Sequence, residues 1–237
     1  MQLINGDCLE VLKEIPSESV DLLVTDCPYK ITTGGSTIEP KSNEMHGVLE
    51  RRSEDKLVKK GKIFKNNDIE FSEWLPEVYR VLKDDSHAYI MINPRNLKEL
   101  WEECEKVGFK FQQLLVWDKQ NVIANHYYMN AYELILMVRK GKAKDINDMG
   151  TSNLLRVPNV RHKEHPTEKP VELMKILIRN SSNEGDVVLD PFMGVGATCI
   201  ACKRLKRDFI GVEIDKEYFD IANKRLKEED MQISFFD

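Results

Sequence analysis

The sequence predicts an α/β fold in which a parallel sheet carries helices on both faces. Seven short apolar runs alternate along the chain with stretches at helical spacing, a pattern typical of repeated β-α units. The last unit, residues 187–215, reads as strand, glycine loop, helix and strand. The chain has 237 residues, of which 41% are hydrophobic, so one domain of this class can bury a full core. We therefore expect a single domain, residues 1–237.

The seven strands are predicted from β-branched and other apolar runs. They are residues 2–4, 20–25, 88–92, 111–117, 132–138, 187–189 and 209–212. The run at 20–25 is typical of a strand that is buried in a parallel sheet.

Helices are predicted between these strands, where apolar residues recur on one face. They cover residues 8–15, 70–82, 94–107, 170–177 and 197–205. Asp7 caps the first helix, Gly108 closes the third and Pro170 starts the fourth. Two irregular stretches remain, residues 30–67 and 140–165, and structureless segments of such length are usually functional or disordered.

The glycine loop of the last unit indicates a cofactor. Asp190 ends the strand before the loop, Gly194 and Gly196 lie within it, and Glu213 ends the next strand. Glycine lacks Cβ, so the backbone can turn sharply and a ligand can lie against it. A dinucleotide loop would have a third glycine where this chain has Cys199, and Asp190 would repel a pyrophosphate. The acids suit S-adenosylmethionine, because Asp190 can hold its ammonium group and Glu213 its ribose hydroxyls. The alternative is another nucleotide-binding unit, or a purely structural one.

A second candidate site follows the strand at residues 20–25. Asp26, Cys27, Pro28 and Tyr29 place a carboxylate, a rigid backbone and an aromatic ring at a strand end. The amino group of adenine is a poor nucleophile, because its lone pair is delocalised into the ring. Two acceptors, the Asp26 carboxylate and the Cys27 carbonyl, would favour a pyramidal nitrogen whose lone pair faces an electrophile. Tyr29 can stack on the base, and stacking contributes about 1–3 kcal/mol. A simple Asp-x-Pro-aromatic turn is the alternative.

A basic run lies within the predicted mobile loop at residues 30–67. Residues 51–65 carry seven basic side chains and two acidic ones, while the whole chain has a net charge of -5. Since the rest of the surface on balance repels a polyanion, this local patch is the expected contact for nucleic acid. The residues assigned to phosphate binding are Arg51, Arg52, Lys59 and Lys60. A solvated loop is the alternative.

Composition and cysteine usage indicate a cytoplasmic protein. No apolar run approaches the ~20 residues that cross a bilayer, and residues 1–7 lack the features of a signal peptide. The five cysteines suggest no disulfide framework. Cys199 and Cys202 lie in one predicted helix without a second pair, so we expect buried thiols and no metal site.

The order of the motifs resembles one enzyme family. Asp-Cys-Pro-Tyr comes first, His-Pro-Thr-Glu-Lys-Pro at residues 165–170 follows, and Asp-Pro-Phe-Met-Gly-Val-Gly-Ala-Thr at residues 190–198 comes last. This order resembles the β group of DNA amino-methyltransferases, which act on adenine N6 or cytosine N4 and look like a circular permutation of the usual methyltransferase sheet. The resemblance covers residues 1–227. It implies a seven-stranded Rossmann-like sheet with an antiparallel strand in its last pair. It also implies S-adenosyl-L-methionine as methyl donor and double-stranded DNA with a flipped-out base.

The resemblance also implies roles for individual positions. Asp26 and Tyr29 match the catalytic motif, with Cys27 where the family usually has proline. The implied cofactor contacts are Asp7 near the adenine, Thr167, Lys169 and Pro170 beside the methionine end, Asp190 at the amino group, Phe192, Gly194 and Gly196 in the loop, and Glu213 at the ribose. Because Cys27 acts through its carbonyl, we expect function to persist with a less rigid backbone.

We therefore expect direct methyl transfer to the 6-amino group of adenine in DNA, without a covalent enzyme intermediate, by a monomer or homodimer. The loop at 30–67 should clamp DNA, and residues 140–165 should form a small recognition segment, since the family's longer members carry larger ones. Alternatives are the 4-amino group of cytosine, where the motif more often starts with serine, and RNA. Two further alternatives are methylation of a protein glutamine, where the motif usually starts with asparagine, and a cofactor-binding module that transfers no methyl group.

Overall fold

The computed structural model describes residues 1–29, 69–123, 128–160 and 168–234. Contacts divide the chain into a larger unit, Met1–Cys27 with Glu70–Asp237, and a smaller unit, Pro28–Ile69. The fold below is that of the larger unit, and the single domain expected above stays a prediction. The predicted loop at 30–67 lies outside the described residues, as do Arg51, Arg52, Lys59, Lys60 and Thr167.

The described part of the larger unit contains eight strands and six helices. The strands are β1 (Gln2–Asn5), β2 (Val20–Asp26), β3 (Leu82–Ile92), β4 (Lys110–Ile123), β5 (Asn130–Arg139), β6 (Leu154–Arg156), β7 (Val187–Asp190) and β8 (Asp208–Glu213). The helices are α1 (Cys8–Glu14), α2 (Phe71–Val81), α3 (Leu97–Val107), α4 (Val171–Ser181), α5 (Ala197–Arg204) and α6 (Lys216–Ser234).

All eight strands belong to one sheet, in the order β1-β8-β7-β2-β3-β5-β4-β6. Strand β5 is antiparallel to both of its neighbours, and every other adjacent pair is parallel. The predicted α/β sheet with an antiparallel strand is therefore confirmed, but that strand is not in the last pair, because β4 and β6 are parallel. The strand count differs, because β6 adds a strand of 3 residues that is too short to give a periodic signal.

Local signals explain where several helices begin and end. Asp7 Oδ1 accepts a hydrogen bond of 2.9 Å from the Leu9 amide at the start of α1. Gly108 has φ of 114° and closes α3, and Pro170 precedes α4. These boundaries agree with the prediction. Helix α6 is not among the predicted helices, because its sequence is highly charged and its fully buried positions are few, Ala222 and Leu226 among them.

The core lies on both faces of the sheet. Leu22 and Val24 of β2 belong to a buried cluster with Leu177 of α4 and Ile200 of α5. Helices α1, α2 and α3 form a second group, in which α2 contacts both neighbours and also β3. Leu23 is fully buried between Leu22 and Val24, so β2 is covered on both faces, as predicted. No helix in the described ranges is long and apolar enough to cross a membrane.

Candidate functional site

Three predicted site carboxylates lie at the carboxyl ends of adjacent parallel strands. Asp26 ends β2, Asp190 ends β7 and Glu213 ends β8. Strand β7 lies between the other two and pairs with both of them. Ligands of open α/β sheets bind at such strand ends, so the topology brings both predicted sites to one edge. We call it the catalytic edge.

Asp190 connects β2 to the glycine loop. Its Oδ1 accepts hydrogen bonds from Thr25 Oγ1 at 2.8 Å and from the Phe192 amide at 3.2 Å. The side chain is buried, and this burial raises the pKa of Asp190 to about 6, although bonds from Thr198, Thr25 and Phe192 oppose the rise. The hydrogen bonds of Asp190 therefore hold the loop against β2, and its bond to a cofactor ammonium stays a prediction.

The two loop glycines serve different purposes. Both have positive φ, +54° at Gly194 and +83° at Gly196, where other residues are strained. A Cβ on Gly194 would meet no atom of the described residues within 4 Å, so open space lies between them and the backbone there. A Cβ on Gly196 would lie 3.1 Å from that of Ala222. Gly196 thus permits packing against α6, whereas Gly194 leaves room for a ligand.

Glu213 holds the other side of this loop. Its Oε2 accepts from the Gly194 amide at 3.0 Å and its Oε1 from the Asp215 amide at 2.8 Å. Burial raises the pKa of Glu213, while these two amides oppose the rise. The Gly6 amide donates to the Glu213 carbonyl at 3.1 Å, which places the neighbouring Asp7 beside the end of β8. Asp7, Gly194 and Glu213 therefore lie in one region, and their contacts with a cofactor stay predictions.

Phe192 and Arg225 support the loop from two sides. The Phe192 ring meets Trp74 of α2 edge to face, with centroids 5.3 Å apart. Arg225 of α6 donates to the Val195 carbonyl at 2.9 Å and pairs with Glu168 at 2.9 Å. Arg225 thereby joins the loop to the segment before α4. It was not predicted, because an arginine on a charged helix gives no signal of its buried partners.

Asp26 forms an ion pair with Lys169. The Lys169 Nζ lies 2.5 Å from Asp26 Oδ2 and 3.4 Å from Glu133 Oε2. Burial raises the pKa of Asp26, and the Lys169 ammonium opposes this rise. The structure thus places Lys169 at the carboxylate of Asp26, whose catalytic role is a prediction. The implied position of Lys169 beside the methionine end of a cofactor stays a prediction, as does that of the buried Pro170.

Glu133 and Lys119 extend this pair, and sequence reasoning missed both. Lys119 of β4 lies 2.7 Å from Glu133 of β5. Although burial acts to raise it, the pKa of Glu133 is lowered, because the ammoniums of Lys169 and Lys119 outweigh the burial. One signal was available, since Glu133 is the one acid in the apolar run 132–138.

Cys27 is buried behind Asp26. Its Sγ lies 3.7 Å from the Met91 carbonyl, and burial raises the pKa of Cys27 well above its usual value. A buried neutral thiol is a weak nucleophile, which supports a role through the backbone carbonyl only. Cys199 and Cys202 are also buried, both in α5. Pro28 and Tyr29 follow in the chain and belong to the smaller unit, so their roles stay predictions.

The structure describes the predicted recognition segment, residues 140–165, as far as residue 160. The first part of this segment lies near one end of the strands and the later part near the other end. The Lys140 amide bonds to Ser86 at the start of β3, and Asn147 bonds to Arg179 and Ser182 at the end of α4. These contacts lie near the amino ends of the parallel strands, whereas Asp26 lies at the carboxyl end of β2. Strand β6 then runs parallel to β4 and brings Arg156 to the catalytic edge, and the recognition role of residues 140–165 stays a prediction.

Comparisons with known proteins agree with this geometry. Residues 20–224 match the family model described as DNA methylase. The Type II methyltransferase M.HinfI of Haemophilus influenzae is 31% identical over 95% of this chain and 68% of its own length. The DNA adenine methyltransferase YhdJ of Escherichia coli (strain K12) is 32% identical over 94% of this chain and 82% of its own length. The crystal structure of the M1.HpyAVI-SAM complex matches with a TM-score of 0.70 and 27% identity, over 94% of this chain and 98% of that one. With its catalytic edge and these matches, the chain belongs to the DNA methylase family, in the β group of adenine-N6 and cytosine-N4 methyltransferases.

Proposed function

We propose that this protein transfers a methyl group from S-adenosylmethionine to the 6-amino group of adenine in DNA. The observation that carries the proposal is the position of Asp26. Its carboxylate lies at the end of β2, beside β7 and its glycine loop. The Thr25 hydroxyl joins the two strand ends through Asp190 at 2.8 Å. An acceptor for an amino group and a loop for a methyl donor are therefore neighbours.

The residues of the loop fit S-adenosylmethionine. Gly194 leaves open space against its backbone, as a ligand lying on the loop requires. Glu213 lies beside this space and can accept from ribose hydroxyls, while Asp190 supplies a negative charge for the ammonium end. The bound cofactor supplies an electrophilic methyl group on a sulfonium. The similar protein M1.HpyAVI, whose crystal structure is that of a complex with SAM, supports this choice.

Asp26 and Cys27 act on the target amino group. The Asp26 carboxylate accepts one N–H and the Cys27 carbonyl the other, so the nitrogen lone pair is no longer held in conjugation with the ring. Lys169 stabilises the ionised form of Asp26, which is the form that accepts through either oxygen. The thiol of Cys27 takes no part, because it is buried and neutral.

Adenine is favoured over cytosine by two observations. The motif opens with Asp26, whereas serine is more common in the cytosine-specific members, and the relative YhdJ is named as an adenine methyltransferase. The names of Type II methyltransferases among the relatives favour a role in restriction and modification. A reaction on DNA places the protein in the cytoplasm, where it acts as a monomer or homodimer.

DNA contacts are assigned to three segments. Tyr29 stacks on the flipped base, the basic residues of 51–65 bind phosphates, and Arg156 with the residues up to 165 reads part of the sequence. If Arg51, Arg52, Lys59 and Lys60 each neutralise one phosphate, their joint replacement by alanine reduces the slope of log affinity against log salt by about 3.6. The affinity for S-adenosylmethionine stays unchanged in that variant. An unchanged slope would place the DNA elsewhere.

The experiment that tests this function uses S-adenosylmethionine with a labelled methyl group. Unmethylated genomic DNA, total RNA and a protein mixture are incubated separately with the enzyme, then digested and separated. We expect label in N6-methyldeoxyadenosine alone, and a strongly reduced rate of labelling with the Asp26→Ala variant. Label in N4-methylcytosine, in RNA or in glutamine would contradict the proposal. Cofactor binding without label in any substrate would show a silent binding module.

A further inference from the structure

A row of four charged side chains crosses the catalytic edge, with the two lysines buried and the two acids partly exposed. Asp26 contacts Lys169 at 2.5 Å, Lys169 contacts Glu133 at 3.4 Å, and Glu133 contacts Lys119 at 2.7 Å. The charges alternate in sign, so the row is neutral as a whole. Its members come from four separate parts of the chain: β2, the segment before α4, β5 and β4.

The part of the row from Asp26 to Glu133 passes across one strand, β3. Strand β3 separates β2 from β5, with Met91 paired to Asp26 on one side and to Ile135 on the other. Asp26 and Glu133 therefore belong to strands that are not neighbours, and Lys169 bridges them. Lys169 thus links the carboxylate of Asp26 to β5.

Burial makes this arrangement costly unless it is well paired. The side chains of Lys169 and Lys119 are only 7% and 8% exposed. A buried ammonium is tolerated when carboxylates surround it, and removing one partner leaves an uncompensated charge. Glu133 contacts both ammoniums, so it fixes the position of Lys169 on the side away from Asp26.

We propose that Lys169 is a positioning residue for Asp26, and that Glu133 and Lys119 act on the reaction by holding Lys169 in place. Lys169 occupies Oδ2 of Asp26, which assigns Oδ1 to the amino group of the target base. The ammonium also favours the ionised form of Asp26 against the effect of burial, and an ionised carboxylate can only accept hydrogen bonds. This inference rests on the proposed function, because it assigns Asp26 to methyl transfer.

The charges that face Asp26 decide the expected pH dependence. Lys169 and Lys119 favour its ionised form, whereas Glu133 and Asp190 disfavour it, and burial acts in the same direction as these acids. In Lys169→Met, burial and the two acids still raise the pKa of Asp26, but the adjacent ammonium no longer opposes them. The pKa of Asp26 therefore rises, and the acidic limb of the rate against pH moves to higher pH.

The first experiment measures Lys169 variants. Lys169→Met should reduce kcat by ~10²-fold, comparable to the loss of one placed polar group, with unchanged affinity for S-adenosylmethionine. Lys169→Arg should retain most of the activity, because it keeps the charge. Lys169→Gln serves as a second neutral variant should the methionine variant not fold. Loss of cofactor affinity with an unmoved pH profile would overturn the proposal and return Lys169 to the cofactor site.

The second experiment tests whether Glu133 acts through Lys169. Glu133→Gln should reduce kcat in the wild-type background and have no further effect in the Lys169→Gln background. Additive losses would show that Glu133 has a separate role and would overturn this part of the proposal. Lys119→Met should behave like Glu133→Gln.

A readout without substrate separates this inference from the proposed function. The pKa of Asp26 is measured by carbon NMR on protein with labelled aspartate carboxyls, with Asp26→Asn used for assignment. We expect a higher pKa in the neutral Lys169 variants than in the wild type. If the wild type transfers no methyl to DNA but this pKa still rises, the proposed function fails and the positioning contact stands. If the pKa is unmoved, the inference fails.

Discussion

The hydroxyl of Thr25 donates a hydrogen bond of 2.8 Å to Oδ1 of Asp190. Thr25 precedes Asp26 in the chain, and Asp190 precedes the glycine loop. This one bond therefore joins the strand end that carries the proposed catalytic acid, Asp26, to the strand end that carries the proposed cofactor loop. Both groups are buried, so the bond is protected from water.

Thr25→Val should disturb both sites. The substitution keeps the shape of the side chain but leaves Asp190 without one donor, which costs about 1–3 kcal/mol at a buried acceptor. We expect a lower free energy of unfolding in urea and weaker binding of S-adenosylmethionine in calorimetry. Thr25→Ser keeps the hydroxyl and is the matched control. Equal cofactor affinity in the valine and serine variants would show that the bond does not hold the loop.

Asp190 should make folding less favourable as the pH rises through the weakly acidic range. Its pKa is raised from 3.8 to about 6, so the unfolded chain ionises first and the free energy of unfolding falls between these two values. One carboxyl shifted over this range corresponds to roughly 3 kcal/mol. Asp190→Asn should lose this contribution. The difference in unfolding free energy between wild type and variant is measured from pH 4 to 7, and a flat difference would contradict the prediction.

Arg225→Met should weaken cofactor binding from outside the pocket. The variant loses the bonds to the Val195 carbonyl and to Glu168, so the loop and the segment before α4 are no longer joined. We expect an affinity for S-adenosylmethionine lower by about tenfold, which corresponds to ~1.4 kcal/mol. Lys224→Met is the control, because that neighbouring side chain is 78% exposed. Similar effects of both substitutions would show that α6 acts only through its general stability.

Gly211→Ala should destabilise the fold under the loop. A Cβ at this position would lie 2.6 Å from both Cys199 Sγ and Met193 Sδ, so these buried side chains must shift. Overpacking of this kind costs about 1–3 kcal/mol. Thermal unfolding should show a lower Tm than for Gly6→Ala, whose nearest contact at 3.5 Å is ordinary. Identical Tm values would mean that the sulfur atoms move without cost.

The sequence predicts the catalytic edge because strand ends and motifs are local signals. The strands before Asp26, Asp190 and Glu213 read clearly as buried runs, and parallel strands bring their carboxyl ends together. The contacts of Lys169 are a different kind of information. They join residues far apart in the chain across a third strand, and no local pattern specifies which side chains meet there.

The boundaries of helices and strands are predicted less accurately for a related reason. Strand β3 begins at Leu82, six residues before its predicted start at residue 88, and the added part contains the exposed charged residues 83–85. The start of β3 pairs with β2 through Leu82 and Val20, which are far apart in the chain. The polar residues that follow Leu82 show no apolar alternation, so the sequence gives no strand signal there. Strand β6 and helix α6 were missed because one is very short and the other is mostly charged.

The most direct test of the central claim is the methyl-transfer rate of Asp26→Ala in a single turnover, with saturating S-adenosylmethionine and unmethylated DNA. Because Asp26 is one of the two acceptors that we propose for the amino group, we expect a rate lower by roughly 10²–10³-fold, with unchanged cofactor affinity and a folded protein by circular dichroism. A folded variant that transfers methyl groups to adenine at the wild-type rate would contradict the account, since Asp26 would then be only a residue of the turn after β2.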